Sequence, residues 1–240
     1  MAAVVILRRF NGPPDSGNGG YSCGVVAGFV DAPAVEVTLR APPPLERDLR
    51  IEERDGAMVA LDGETVVAEA RPTELELETP EPVSASDAIE ADAASSYRDA
   101  DGHWFDTCFV CGPSREEGDG LRMFPGLVAD GVHYATRFRP DASLADAQGV
   151  VAPEVVWAAL DCPTSAPIAD WEDRRPPSVL ARLAVQIDTP LHAGREYVAL
   201  SWPLGEDGRK RSAAAALYDE DGAAVAVSRA LWIELRARPE

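Results

Sequence analysis

Lysine is nearly missing from this chain: its 22 basic residues include one lysine, Lys210, and they face 41 acidic ones for a formal charge of −19. Nucleic acid and anionic membranes are held by clustered Lys and Arg, so neither is an expected partner. The one dense basic cluster is Arg209-Lys210-Arg211. Long apolar runs are missing too. The opening Ala2 to Leu7 is too short for a signal-peptide core and is followed, not preceded, by Arg8-Arg9. Cysteine is scarce: four in 240 residues make no disulfide framework, and a reducing cytoplasm is the expected compartment. What remains is an ordinary globular composition, 46% apolar, long enough for one large domain or two small ones.

The stretch Gly149 to Asp161 reads as an apolar helix. Val155, Val156, Ala159 and Leu160 fall on one face, which predicts burial. Asp161 at its inner end is a lone carboxylate among apolar neighbours, and such a group is costly to bury charged unless it has partners or a task.

Two halves repeat one pattern. The first opens with a glycine-rich turn, Asn11 to Gly20, and a small-residue segment, Tyr21 to Val30. Strand-like runs follow at Ala34 to Arg40, Arg47 to Glu53, Ala57 to Leu61 and Thr65 to Arg71, with Asp55-Gly56 and Asp62-Gly63 as hairpin turns. The second half opens with a hairpin, Gly120 to Phe124 with Gly131 to Arg139, and continues into the buried helix. Strand-like runs then recur at Leu183 to Asp188, Glu196 to Trp202, Ser212 to Tyr218 and Ala223 to Leu235. The expected organisation is a first half over 1–80, a linker over 81–103 and a second half over 104–240. Part of that linker, Ala-Ser-Asp-Ala-Ile-Glu-Ala, also suits a short solvated helix. Helix followed by antiparallel strands, done twice, predicts α+β with each of two antiparallel sheets wrapping a central helix and the sheets edge to edge.

Three local matches resemble the double-hotdog acyl-CoA thioesterase-like family, in a thioesterase II-like arrangement. They are Cys108-Phe109-Val110-Cys111-Gly112 followed by Gly120-Leu121-Arg122-Met123, the helix ending in Leu160-Asp161-Cys162-Pro163, and Asn18-Gly19-Gly20 before Tyr21. The last is similar to the His-Gly-Gly turn that starts the helix in that family. There the acid lies nine residues after the His, which counts back from Asp161 to Ala152 and forward from Asn18 to Ala27. The first half thus keeps the glycine turn without an acid, and the second keeps the acid with Ala152-Pro153-Glu154 in place of the turn. The resemblance implies that the turn of one half faces the acid of the other. One composite site per chain is expected, and the pairing of Ala152-Pro153-Glu154 with Ala27 is expected to be dead.

The implied function is hydrolysis of an acyl-CoA thioester, with no cofactor, no metal and a possible homodimer. Amides at a helix start favour the charge that develops on a thioester carbonyl oxygen, and Gly19 and Gly20 lack the Cβ that would keep a substrate away. Asp161 is the expected general base on water, or the nucleophile, with Asn18 orienting the turn and Thr164 and Thr189 helping to orient water. The thioesterase II branch pairs its Asp with a Gln and a Ser or Thr; here Ser228-Arg229-Ala230 stands in the final strand, with no Gln. Two other readings stay open on the same fold. One is an acyl-thioester hydratase or dehydratase, which needs a His such as His133 or His192 near Asp161; the other is a non-catalytic acyl-CoA-binding protein.

Each candidate also has a plainer reading. Asp161 can be a helix-end residue bonded to Thr164 or Ser165, and Asn18-Gly19-Gly20 can be a simple turn. Cys108 and Cys111 read as packed thiols rather than a zinc or redox pair, because Cys23, Cys162 and three scattered His offer no obvious second ligand pair. Arg209-Lys210-Arg211 reads as a solvated hairpin tip that is also placed to meet coenzyme A phosphates. Trp104, Trp157, Trp171, Trp202 and Trp232 read as core or tunnel lining.

Overall fold

A computed structural model describes residues 2–169 and 178–236; Trp171 lies outside them. The strands are β1 (Ala2–Val5), β2 (Ala34–Leu39), β3 (Asp48–Arg54), β4 (Ala57–Asp62), β5 (Thr65–Pro72), β6 (Gly126–Leu127), β7 (Tyr134–Phe138), β8 (Ser178–Ile187), β9 (Tyr197–Asp207), β10 (Lys210–Tyr218) and β11 (Ala224–Glu234). The helices are α1 (Gly19–Ala27), α2 (Ala85–Ala93) and α3 (Pro153–Ala159), and a 3-10 segment, Cys162–Ile168, follows α3.

The hairpins form where the turn chemistry puts them. Gly56 and Gly63 both take positive φ, 71° and 59°, which glycine adopts without strain and which suits tight antiparallel returns. In place of two sheets, the strands make one eleven-stranded sheet in the order β1-β3-β4-β5-β2-β8-β11-β10-β9-β7-β6. The seam is β2 against β8, with Val35 opposite Val185 and Val37 opposite Leu183. Those four side chains are buried, so the seam carries core on its inner face.

The helices α1 and α3 pack against each other, antiparallel, and α1 also packs against β2, β5 and β8. Glycine makes the close crossing possible. A Cβ on Gly20 would lie 2.7 Å from the Trp157 carbonyl oxygen, and one on Gly24 would lie 2.6 Å from Glu154 Cα. Trp157, Val155, Val156 and Leu160 fill the surrounding core. Pro153 stands at the first turn of α3, where its missing N–H costs nothing, and the preceding Gly149–Ala152 is outside the helix.

Two sequence expectations are corrected, and one strand was not anticipated. The segment 81–103 is not a bare solvated connector: α2, capped by Ser84, lays Ala88 and Ala91 on the outer sheet face beside Ala135, Trp202 and Ala214. Gly126 admits this docking, because a Cβ there would lie 1.8 Å from the Ala91 carbonyl oxygen. The partner of β7 is β6, not Gly120 to Phe124. That run instead lies along the cysteine turn, with Leu121 N–H donating to the Phe109 carbonyl and Met123 N–H to the Val110 carbonyl. Finally, Ala2–Val5 is an edge strand on β3, although its mostly exposed side chains give no alternating pattern to read.

Candidate active site

Asn18 starts α1 as its N-cap, with Oδ1 accepting from Tyr21 N–H at 2.8 Å. That fixes the side chain and leaves its amide free to donate. Nδ2 reaches Asp161 Oδ2 at 3.1 Å, and Gly20 N–H donates to the same oxygen at 2.8 Å. Asp161 is 1% exposed, and its Oδ1 has no hydrogen-bond partner. Burial raises its pKa to about 7, against the opposing pull of the Gly20 N–H and the Asn18 amide. A carboxyl poised there exchanges its proton near neutral pH.

Neither Thr164 nor Ser165 holds the Asp161 side chain. Its carboxylate bonds across the helix crossing to Asn18 and Gly20, while Thr164 bonds only its backbone carbonyl, at 2.6 Å. Gly20 N–H is therefore occupied by the acid. Gly19, the first residue of α1, has no acceptor for its N–H within the helix, and it lines the adjoining cavity. That cavity measures about 600 Å³. Asn18, Gly19, Asp161, Leu180, Trp104 and Trp232 are among its walls, so both halves contribute.

Other expected site residues fall elsewhere. Thr164 is buried, and its hydroxyl donates to the Asp161 carbonyl and accepts from Trp232 Nε1 at 2.8 Å. These two bonds tie the segment after α3 to β11. Thr189 is exposed beyond the far end of β8. Leu180, which a Gly19 Cβ would touch at 2.9 Å, is separated from that end by about 23 Å of strand at roughly 3.3 Å per residue. Ser228 donates to the Leu160 carbonyl at 3.1 Å, a packing contact.

The basic cluster splits. Gly208 and Arg209 form the β9–β10 turn, and Arg209 Nη1 donates to the Glu234 carbonyl at 2.9 Å. Arg211 is buried instead of solvated: it pairs with Glu234 Oε2 at 2.5 Å, donates to the Ile168 carbonyl at 3.0 Å and lines the cavity. Neither His133, paired with Asp130 at 2.7 Å, nor His192 lines it. His103 does. It was missed because nothing near it in sequence marks a site; burial holds its pKa below the usual value. Trp104 and Trp232 line the cavity, whereas Trp157 and Trp202 are core.

The cysteines also converge. Cys108, Cys111 and Cys162 line the same cavity, and Cys108 Sγ lies 3.7 Å from Cys162 Sγ. The Cys111 and Cys162 thiols hydrogen-bond Cys108 and hold its pKa well below the usual thiol value.

The sequence matches no protein-family model and no curated protein. Among solved structures it is similar to the tesB protein of Mycobacterium avium subspecies paratuberculosis, at 12% identity and a TM-score of 0.58, over 91% of this chain and 87% of that one. It is also similar to a conserved protein of unknown function with a hot dog fold from Alicyclobacillus acidocaldarius, at 12% identity and a TM-score of 0.52, over 98% of this chain and 93% of that one. Both likenesses run through both halves, and they show the fold alone: this chain is built on the hot dog fold.

Proposed function

We propose that the chain hydrolyses acyl-CoA-type thioesters at one composite site, where α1 of the first half meets Asp161 of the second. One observation carries the reading. A buried carboxylate at the wall of the cavity has one oxygen clamped by the opposite helix start and the other without a partner. Asp161 takes the proton of the attacking water through that free oxygen. Gly19 N–H, at the positive end of α1, stabilises the charge that forms on the thioester oxygen. Gly20 N–H and Asn18 orient the acid, so their role is positioning. Arg209, on the turn, and Lys210, at the start of β10 beside the cavity-lining Arg211, take the coenzyme A phosphates; Arg211 itself is committed to Glu234.

The test is a thioesterase assay across an acyl-CoA panel, with wild type and Asp161→Asn side by side. Loss of a general base predicts a fall in kcat of about a hundred- to ten-thousandfold. Equal turnover by the two proteins refutes the assignment. Saturable acyl-CoA binding without turnover on any substrate favours a binding protein. His103 in the same cavity as Asp161 gives the hydratase reading its specific support. Hydration of an enoyl thioester that is lost in His103→Ala, without thioester hydrolysis, would select it.

A further inference from the structure

Cys108, Cys111 and Cys162 come from two segments far apart in the chain, yet their sulfurs all lie within 4.8 Å of one another. Hydrogen-bond donors converge on these sulfurs. The Val110 and Cys111 amides hydrogen-bond the Cys108 sulfur. Asn18 Nδ2 adds an N–H at 3.9 Å from Cys108 Sγ and 3.8 Å from Cys162 Sγ.

The backbone is shaped around this arrangement. Gly112 N–H donates to the Cys108 carbonyl at 2.9 Å, closing the turn. A Cβ on Gly112 would lie 2.5 Å from the Cys108 carbonyl oxygen and 2.6 Å from both the Cys108 nitrogen and the Asp106 carbonyl oxygen, so no other residue fits there. A Cys-x-x-Cys-Gly turn that aims amides at its first sulfur leaves both cysteine side chains on one side.

The spacing matches a metal. Tetrahedral zinc holds sulfur at about 2.3 Å, which sets neighbouring sulfurs about 3.8 Å apart. Cys108 and Cys162 already stand at 3.7 Å. We propose that Cys108, Cys111 and Cys162 bind a thiophilic divalent cation, Zn²⁺ foremost, as three thiolate ligands. Among the described residues no further His, Cys, Asp or Glu atom joins the group. The cysteines line the cavity, so a water or a bound molecule from it is placed to take the fourth position. Such an open vertex separates this site from a closed structural one. Binding replaces the thiol protons, so it releases protons to solvent. The proposal does not depend on the thioesterase reading.

The test is Co²⁺ substitution of the full chain, purified reduced and stripped with a chelator. About one equivalent of Co²⁺ is expected to give an intense thiolate-to-cobalt charge-transfer band and tetrahedral visible absorption, both displaced by about one equivalent of Zn²⁺. Cys111→Ser and Cys162→Ser, each shown to be folded by circular dichroism, are expected to weaken Zn²⁺ at least tenfold and to lower the band. In wild type, Zn²⁺ is expected to protect the three cysteines, but not buried Cys23, from alkylation during partial unfolding. A wild type with no charge-transfer band and no Zn²⁺ protection overturns the site. A band unchanged in Cys162→Ser overturns the three-sulfur ligand set.

Discussion

Replacing Gly20 by alanine isolates the contact on which the composite site depends. The new Cβ would lie 2.4 Å from Asp161 Cβ, 2.7 Å from the Trp157 carbonyl oxygen and 3.1 Å from Ala158 Cα. The last two atoms are α3 backbone, so no rotamer relieves the clash and the helices must separate. Overpacking of this kind costs about 1–3 kcal/mol. Separation also stretches the 2.8 Å bond from Gly20 N–H to Asp161. A hydrogen bond to a buried charged group is worth about 1.5–3 kcal/mol. Alanine repays about 1 kcal/mol of helix propensity. The net loss is about 3 kcal/mol, or a Tm lowered by roughly 6–12 °C for a chain of this size.

Urea unfolding followed by tryptophan fluorescence measures this loss, and two neighbours calibrate it. Gly24→Ala meets Glu154 Cα at 2.6 Å but breaks no bond to the acid, so it is expected to cost about 1–2 kcal/mol. Gly28→Ala, whose nearest neighbour is the Val25 carbonyl oxygen at 3.5 Å, is expected to be neutral within about 0.5 kcal/mol. The reasoning is refuted if Gly20→Ala is as stable as wild type, or if Gly28→Ala costs as much.

Asn18 has two jobs that different substitutions separate. Asn18→Ser keeps a cap for α1 but loses the amide on Asp161, whereas Asn18→Ala loses both; the alanine variant is expected to be less stable by about 1 kcal/mol in urea, with turnover lowered in both. Thr164→Val strands Trp232 Nε1 and removes one of the two bonds to the Asp161 carbonyl, leaving the backbone N–H of residue 164. It is expected to cost about 1–3 kcal/mol in thermal unfolding while kcat and KM of the folded enzyme stay unchanged, and a selective fall in kcat would return Thr164 to the chemistry.

Local signals located the Asp-Gly hairpins and the buried helix, because such turns and a one-sided apolar face are properties of neighbouring residues, whereas the hairpin expected of Gly120 to Phe124 was misplaced. The meeting of Asn18-Gly19-Gly20 with Asp161 was legible only through the family resemblance, since 143 positions separate Asn18 from Asp161. Nothing local could join Cys162 to Cys108, 54 positions away. The same holds for His103, and for Thr189, whose sequence neighbourhood resembles a site that its strand carries away. Burial of α2 was hidden for another reason. Its contact face is alanine, which gives a weak hydrophobic signal, and the docking rests on a missing Cβ at Gly126.

The β2–β8 seam sets an order of events during synthesis. Val35 must wait for Val185, about 150 residues later, before its strand has that neighbour. Until then β2 presents an unpaired edge, and α1 has no α3 to cover Gly20 and Gly24. Long-range closure of this kind slows folding and leaves sticky surface open meanwhile. The nascent first half is thus the stage at which this chain most needs a chaperone, and a ribosome stalled before β8 would hold a half-sheet with its adhesive edge bare.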